Sequence, residues 1–474
     1  MTDIADLGTG HTPSRNHPEY WGGEIPWIGI RDAGAHHGGV INTTAQTVTP
    51  LGLENSAARL LPKETVCLSR TASVGYVVKM GRDMATSQDF VTWSCSEALD
   101  PDFLMAALLA EGAEIRKFGE GSTHTTIYFP AVKAFHIDLP PKAEQRRIVA
   151  KLDELTARIV RARAELHRVS LLSPSQKQSL LRTGVLGELT ARWRTTRETE
   201  PVSVLLQRIE TPKQGRGGRE ATDKIIAGAA GLSVNDPGSP LPPGWEWVPL
   251  LRVAKQETGH TPSRSRSDYW EGELPWVGIR DAGQHHGKQI HDTMQTITEA
   301  GLVNSSARLL PTGTVCLSRT ASVGYVTMMA RPMATSQDFA TWTCTEALLP
   351  EYLMYALMAE GDDIRNFGMG STHTTIYFPE IRALHIALPP LDEQRQIVQL
   401  VKSTLARADH LEAEAARARK LLDRLESALL AKAFRGELVP QDPMDEPASM
   451  LLERIGAQRA TAPKPRRGRG AAAE

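Results

Sequence analysis

The eleven residues CLSRTASVGYV, Cys67 to Val77, stand again without a change at Cys316 to Val326, 249 positions later. GSTHTTIYFP repeats in the same way, at Gly121 to Pro130 and at Gly370 to Pro379. GHTPSR at Gly10–Arg15 returns at Gly259–Arg264, and WIGIRDAG at Trp27–Gly34 returns as WVGIRDAG at Trp276–Gly283. All four pairs share the offset of 249, so no insertion separates the copies. Roughly two thirds of residues 9 to 141 match their partners. The offset still holds at Gly187-Glu188-Leu189 and Gly436-Glu437-Leu438, and falls to 246 at Glu200-Pro201 and Glu446-Pro447. A period this long is not that of a solenoid, whose units run about 20–50 residues. The chain is a duplicated module followed by a duplicated tail, which implies the pseudo-twofold arrangement of a dimer.

Each module reads as mixed α/β. Thr65–Ser69 alternates and is β-branched, which predicts a strand, and Val74–Val78 predicts another with a glycine at Gly75. Asp102 to Phe118 carries Leu104, Leu108, Leu109 and Ile115 at helical spacing. Ala134 to Leu139 predicts a strand stopped by Pro140 and Pro141. Thr211 to Pro243, with its Gly, Pro and charged residues, reads as a flexible linker. Lys464 to Gly470 reads as a solvated basic tail.

After Pro141 the pattern changes. Ile148, Leu152, Leu155, Ile159, Ala162, Leu166 and Val169 alternate steps of four and three, a heptad seam. The second copy gives Ile397, Val401, Thr404, Ala408, Leu411, Ala415, Ala418, Leu422, Leu425 and Leu429. Two lone helices with apolar seams should bury them against each other, since about 25 residues span nearly 40 Å, longer than one face of such a module. Ser173-Pro174-Ser175 should break or kink the first helix, whereas the second should run to about Phe434.

Composition narrows the function. The 474 residues carry a net charge of -1, which argues against a non-specific polyanion binder but leaves room for local base reading. The N-terminus shows no secretory pattern and no apolar run approaches a membrane span. The four cysteines form no CxxC and read as reduced core residues, so a cytoplasmic setting is expected. No phosphate loop, HExxH, GxSxG or dinucleotide turn is present, so no catalytic residue, metal site or cofactor is assigned. His36-His37 and His285-His286 read as structural or DNA-facing, because adjacent histidines seldom converge on one ion.

What remains is polar and repeated. Ser69, Arg70, Thr71 and Ser73, then Thr86, Ser87 and Gln88, then Ser122, Thr123, His124 and Thr125 supply short donors and acceptors beside turns. Thr12, Ser14, Arg15 and Arg31 join them from the other repeated stretches. Their counterparts are Thr261, Ser263, Arg264, Arg280, Ser318, Arg319, Thr320, Ser322, Thr335, Ser336, Gln337, Ser371, Thr372, His373 and Thr374. Arginine reads guanine bidentately, glutamine reads adenine, and hydroxyls bind phosphates or bases, so these are the candidate DNA contacts.

The order of motifs resembles the specificity (S) subunit of type I restriction–modification systems. Those motifs are Leu139-Pro140-Pro141 with Glu144-Gln145-Arg146-Arg147-Ile148-Val149, and Leu388-Pro389-Pro390 with Glu393-Gln394-Arg395-Gln396-Ile397-Val398. Leu241-Pro242-Pro243-Gly244-Trp245-Glu246-Trp247 and Ala433-Phe434-Arg435-Gly436-Glu437-Leu438 complete the set. The resemblance implies an α+β chain: two mixed α/β target-recognition domains related by pseudo-twofold symmetry, joined by two long antiparallel coiled-coil helices. It divides the chain into domain 1 (1–141), a central helical region (142–193), a tail and linker (194–240), domain 2 (241–390), a distal helical region (391–436) and a C-terminal tail (437–474). It further implies a bipartite double-stranded DNA target, two methyltransferase subunits docked on the helices, and restriction subunits, with S-adenosylmethionine, ATP and Mg²⁺ on those partners. Because the two modules share their polar loops, the site should be an interrupted palindrome. Two other readings are the recognition half of a fused methyltransferase–nuclease, and a coiled-coil scaffold with no DNA role. The missing methyl-transfer and nuclease motifs weigh against the first, and the large polar-looped modules against the second. One departure stands out: nothing in the first copy matches Trp245 and Trp247, so either the start lies upstream or the first module lacks a strand.

Overall fold

The computed structural model describes residues 1–71, 73–118, 126–214, 223–368 and 374–461. Two compact units divide the chain, one of Met1–Leu166 with Arg417–Glu474 and one of His167–Ala416.

The first unit holds eight strands: β1 (Ala5–Thr9), β2 (Trp21–Ile28), β3 (Val40–Ile41), β4 (Gln46–Val48), β5 (Val66–Ser69), β6 (Val77–Met80), β7 (Ala85–Thr86) and β8 (Phe90–Cys95). Five form a sheet in the order β1-β8-β5-β6-β3, and β4-β2-β7 form a second. β5 is buried along its whole length, so its side chains serve two cores. Val66 and Leu68 meet Leu104 and Leu108 of the helix Pro101–Glu111, while Cys67 meets Ile28, Met80 and Phe90 on the other face. That helix starts on Pro101, with the Asp100 carboxylate accepting from the Asp102 N–H at 3.1 Å. It ends sooner than predicted: Gly112 takes φ +49°, and Gly112–Phe118 continues as a tighter 3₁₀ turn. The strand predicted at Val74 begins at Val77 instead. Gly75, at φ +106°, folds the chain back so that its N–H meets the Ser69 carbonyl at 3.0 Å.

The second unit repeats this plan. β11 (Ala254–Thr258), β13 (Gln289–Ile290), β15 (Val315–Ser318), β16 (Val326–Met329) and β18 (Phe339–Cys344) make the five-stranded sheet, in the order β11-β18-β15-β16-β13. β12 (Trp270–Val277), β14 (Gln295–Ile297) and β17 (Ala334–Thr335) make the smaller one. A third sheet has no counterpart among the described residues of the first unit: β10 (Glu246–Pro249), β19 (Leu384–Leu388) and β9 (Leu232–Val234), with β19 central. Two expectations change here. The strand predicted at Ala134–Leu139 forms only in the second copy, as β19; residues 134–139 form none. The stretch read as a flexible linker is partly built in, because β9 lies within it and Gln214 bonds the Leu251 and Ala254 carbonyls at 2.9 and 3.1 Å.

Each module hands over to a long helix, Lys142–Val185 and Leu391–Phe434. The glutamine of the EQR motif makes the joint. Gln145 is fully buried, donates to the Ala98 and Pro140 carbonyls at 2.8 and 2.9 Å, and accepts from the Asp100 N–H at 2.7 Å. Gln394 repeats this with Ala347, Pro389 and Leu349. Within the first unit the helices pair antiparallel, Ile148 and Leu152 sharing a core with Ala433 and Arg163 reaching Asp423 and Glu426 at 2.6 and 2.7 Å. Within the second, Leu181 and Val185 pack with Ile397 and Val401, and Lys177 reaches Asp409 and Glu412 at 2.6 and 3.0 Å. Pro174 does not break the first helix, which runs on through it. Ser173 beside it is buried and bonds Glu412, so packing offsets the backbone hydrogen bond that proline removes. The second seam also differs from the reading. Leu411 and Leu425 are 61% and 47% exposed and Thr404 is exposed, while Leu405 packs inward.

Candidate nucleic-acid interface

The loop Gly10–Arg15 lies flat on the turn after β7, and glycine is required there. A Cβ on Gly10 would sit 2.0 Å from the Thr86 carbonyl oxygen. The His11 N–H donates to that carbonyl at 2.9 Å, and the Trp27 indole N–H holds the His11 carbonyl at 3.1 Å. Thr12 then donates to the side-chain oxygen of the exposed Gln88 at 2.6 Å. Arg15 lies over the Trp21 ring at 4.0 Å and the Trp27 ring at 5.6 Å, and donates to the Gln46 side chain at 2.9 Å. The second module reproduces the set. Thr261 donates to Gln337 at 2.7 Å, and Arg264 lies 4.5 and 5.6 Å from the rings of Trp270 and Trp276 and 3.2 Å from Gln295. Neither Arg15 nor Arg264 pairs with a carboxylate among the described residues. Each is a fixed, exposed guanidinium with its charge available to an anion or a base edge.

The second polar stretch is built differently. Arg70 lies 5.1 Å over the Phe129 ring and donates to the Gln88 carbonyl at 3.1 Å, while its Nε is buried without a partner. Arg319 does the same with Phe378 at 4.5 Å and Gln337 at 3.1 Å, and burial draws its pKa down from the arginine value against the pull of Asp338. Asp89 ties the neighbouring turns together, accepting from Thr71 at 2.5 Å and Ser87 at 2.9 Å. Ser69 donates to the Ser73 carbonyl at 2.5 Å and accepts from the Tyr76 N–H at 2.8 Å. Ser69, Thr86 and Ser87, with Ser318, Thr335 and Ser336, are buried and line the turns from inside the module. At the same turns the Thr71 and Thr320 hydroxyls donate to Asp89 and Asp338, and Ser73 and Ser322 accept through their backbone carbonyls.

Thr12, Ser14, Arg15 and Gln88 therefore come together, as do Thr261, Ser263, Arg264 and Gln337. Arg31 and Arg280 are exposed on the short helices that follow β2 and β12. Ser122, Thr123, His124 and Thr125, and Ser371, Thr372 and His373, lie outside the described residues, as does the Lys464–Gly470 tail; Thr374 is half-buried beside Gly368. Sequence reasoning missed Trp21, Gln46, Trp270 and Gln295. The signal was there, in two tryptophans and a glutamine kept at the common offset, but without a spatial partner they read as core and turn. The histidine pairs are structural: His37 Nδ1 accepts from the Val77 N–H at 3.1 Å and His286 Nδ1 from the Val326 N–H at 3.0 Å. Burial lifts the thiols of Cys67, Cys95, Cys316 and Cys344 well above the ordinary range, so none is a ready nucleophile. Among the described residues no cluster of three or more His, Cys, Asp or Glu is placed to hold a metal, and no helix is long and apolar enough to cross a membrane.

Residues 1–166 and 242–416 match the family of the type I restriction modification DNA specificity domain, once in each copy of the repeat. The chain belongs to this family and is a type I specificity (S) subunit. The S subunit is 22% identical to the EcoKI specificity subunit of Escherichia coli K12 over 444 residues, covering 89% of this chain and 86% of that one. It is 26% identical to the MjaIX specificity subunit of Methanocaldococcus jannaschii over 163 residues, 34% of this chain and 38% of that one. Its fold is that of the HsdS subunit from Thermoanaerobacter tengcongensis, with a TM-score of 0.59 at 21% identity over 92% of this chain and 95% of that one. A chain solved in a study of complex assembly and conformational transition of the type I R-M system gives a TM-score of 0.61 at 21% identity, over 92% and 96%. As a specificity subunit it is the non-catalytic member of its complex.

Proposed function

We propose that each module reads one half of a bipartite DNA site, and that the two halves form an interrupted palindrome. The observation that carries this is the repeated pair of exposed reading groups. Thr12–Gln88 and Thr261–Gln337 are 2.6 and 2.7 Å apart, and Arg15 and Arg264 each lie against an equivalent pair of tryptophans and a glutamine. Alike donors on alike frames select alike bases. Arg15 and Gln88 are the direct readers in this account. Arg70 positions the Gln88 turn through its carbonyl, and Arg31 supplies phosphate contact. On this reading the duplication implies a pseudo-twofold relation of the half-sites, so the second half-site is inverted across a fixed spacer.

The same helices dock two methyltransferase subunits, to which restriction subunits are added. Exposed Leu171, Leu172 and Leu411 in the second unit, and Leu421 and Leu425 in the first, supply apolar area for that contact. S-adenosylmethionine, ATP and Mg²⁺ are carried by those partners. Mapping the methylated motif in cells that express the complete system tests the reading. Two reverse-complementary half-sites around a fixed spacer are expected, and two unrelated half-sites would overturn it.

A further inference from the structure

A cavity of about 490 Å³ opens beside Arg264, and its walls include Ser267, Trp270, Glu271, Met294 and Gln295. By the common offset Arg264, Trp270 and Gln295 are Arg15, Trp21 and Gln46, the frame that the two modules share. The other three differ: where the second module has Ser267, Glu271 and Met294, the first has Pro18, Gly22 and Ala45. Glu271 is exposed, and among the described residues its carboxylate has no ion-pair partner. Its backbone is strained. Glu271 takes φ +62°, in the left-handed region that favours glycine, and the first module has a glycine there, Gly22 at φ +80°. Both residues lie in a bulge, where the pairing register shifts between Trp21 and Ile25 in β2 and between Trp270 and Leu274 in β12. A bulge re-aims a side chain, and an exposed residue recovers little of the strain by packing, so the side chain itself is the reason to look for a use.

An ionised carboxylate only accepts hydrogen bonds, and DNA phosphates repel it. On a DNA-facing surface it is favourable only where a base offers an N–H. In the major groove cytosine does so through N4 and adenine through N6, whereas guanine and thymine present acceptors. We infer that Glu271 is a specificity-determining residue, which accepts from the exocyclic amino group of a base, cytosine above all, in the pair next to the one that Arg264 reads. The first module, with Gly22, has no such reader. This rests on the reading role proposed above for Arg264, and it refines the palindrome. The shared frames select like bases in both halves, and one further base pair is specified in the second half alone. Met294, 60% exposed, gives that side of the cavity an apolar wall that Ala45 does not supply.

The test is competition binding of the complete methyltransferase complex to duplexes that carry its mapped methylation motif, with the base pairs in and beside each half-site changed one at a time. One pair in the second half should favour cytosine or adenine by about tenfold, with no such preference at its counterpart in the first half. Glu271→Gly should remove that preference and leave the others, and Gly22→Glu should create it in the first half. Both variants suit the fold: glycine adopts φ +62° without strain, and a Cβ on Gly22 meets nothing within 4 Å. Should Gly22→Glu fail to fold, Glu271→Gly decides alone. Unchanged preferences in Glu271→Gly, or an equal gain in affinity for every duplex, would overturn the inference; the equal gain would mean that the carboxylate only repels DNA. Arg264→Ala separates the two levels. If it alters the preferences of the second half and Glu271→Gly does not, the inference alone fails; if it alters none, the reading role of Arg264 fails and the inference with it.

Discussion

The sequence AFHIDLPP at residues 134–141 and its partner ALHIALPP at residues 383–390 end differently. The second is the middle strand of a sheet, with Ile386 between Val248 and Leu232 and the Ala387 carbonyl held by the Tyr352 hydroxyl at 2.8 Å. The first is irregular, its Phe135 and Ile137 half-buried at the rim of a groove. Two stretches of nearly the same propensity adopt different states because one has partners on both edges and the other does not. Strand formation here belongs to the pairing, and the sequence of the strand itself only permits it.

The buried glutamates give the sharpest way to break this comparison. Glu393→Gln removes one partner of a buried ion pair and disturbs three donors at once, so it should cost about 3–5 kcal/mol. Glu144→Gln alters a carboxylate that lines a cavity and makes no such ion pair among the described residues, and should change stability little. Urea denaturation of both variants, followed by fluorescence, reads the difference. Equal losses would mean that the bonds to Trp245, Thr190 and Arg194 add nothing at Glu393 that Glu144 lacks.

The repeated arginine sites at Arg15 and Arg264 should show the opposite, namely equality. If Arg15 and Arg264 read bases as proposed, Arg15→Ala and Arg264→Ala, each of which removes one stacked guanidinium with no carboxylate partner among the described residues, should each cost about 1–3 kcal/mol in binding of the complete methyltransferase complex to its site. Arg70→Ala acts through the Gln88 turn and should weaken binding while also lowering stability, because its guanidinium covers Phe129. Competition binding on sites altered in one half at a time checks this. A loss from Arg15→Ala several times that from Arg264→Ala would show that the two modules read by different residues.

These contrasts show what could be read from the chain. The repeat exposed the two modules directly, since a shared offset of 249 needs no structural knowledge. The long helices were legible as heptads, but the seam was not wholly so, because Leu411 and Leu425 look like seam residues until packing turns them outward. Pro174 misled for the same reason: a helix fixed by Ser173, Lys177 and their acidic partners tolerates one missing hydrogen bond. Within the candidate interface the polar stretches were found but their roles were not. Ser69, Thr86 and Ser87 are indistinguishable by type from Thr12 and Ser14, and only the fold decides which hydroxyls are buried. β9 was hidden in a Gly- and Pro-rich stretch, since its ordering comes from Glu360, more than 120 residues away in the chain.

The helix pair carries a smaller asymmetry. By the common offset Arg163 corresponds to Glu412 and Lys177 to Glu426, so each cation on the first helix has an anion as its counterpart on the second. A pair of first helices from two chains would set cation against cation, which disfavours that association. These pairs are partly exposed, with Arg163 35% and Asp423 66% exposed at the side chain, so each contributes only about 0.5–1 kcal/mol. Arg163→Glu should lose about that much and Glu426→Arg in the same chain should return part of it, as measured by a double-mutant cycle in denaturant. Full additivity would show that the charges do not select the pairing.

The smallest expected effect is one of pH, and it separates Glu360 from Glu111. Burial raises the Glu360 pKa above the ordinary carboxylate value, against the four backbone N–H groups that draw it down. Glu111 is exposed at the groove of the first unit. A carboxyl whose pKa is raised on folding binds its proton more tightly in the folded state. Its contribution is therefore fully present below the unfolded pKa and is lost as pH rises through the folded one. The second unit should lose a little stability as pH climbs from the ordinary carboxylate range to just above it. Glu360→Gln should flatten that slope, although it also loses one charged acceptor for the 229–232 backbone and so should be less stable at neutral pH. Glu111→Gln should leave the slope unchanged. Melting temperatures taken across that range for the three proteins check the sign. A slope that survives Glu360→Gln would assign the titration to another group, and would leave the backbone hydrogen bonds as the dominant influence on Glu360.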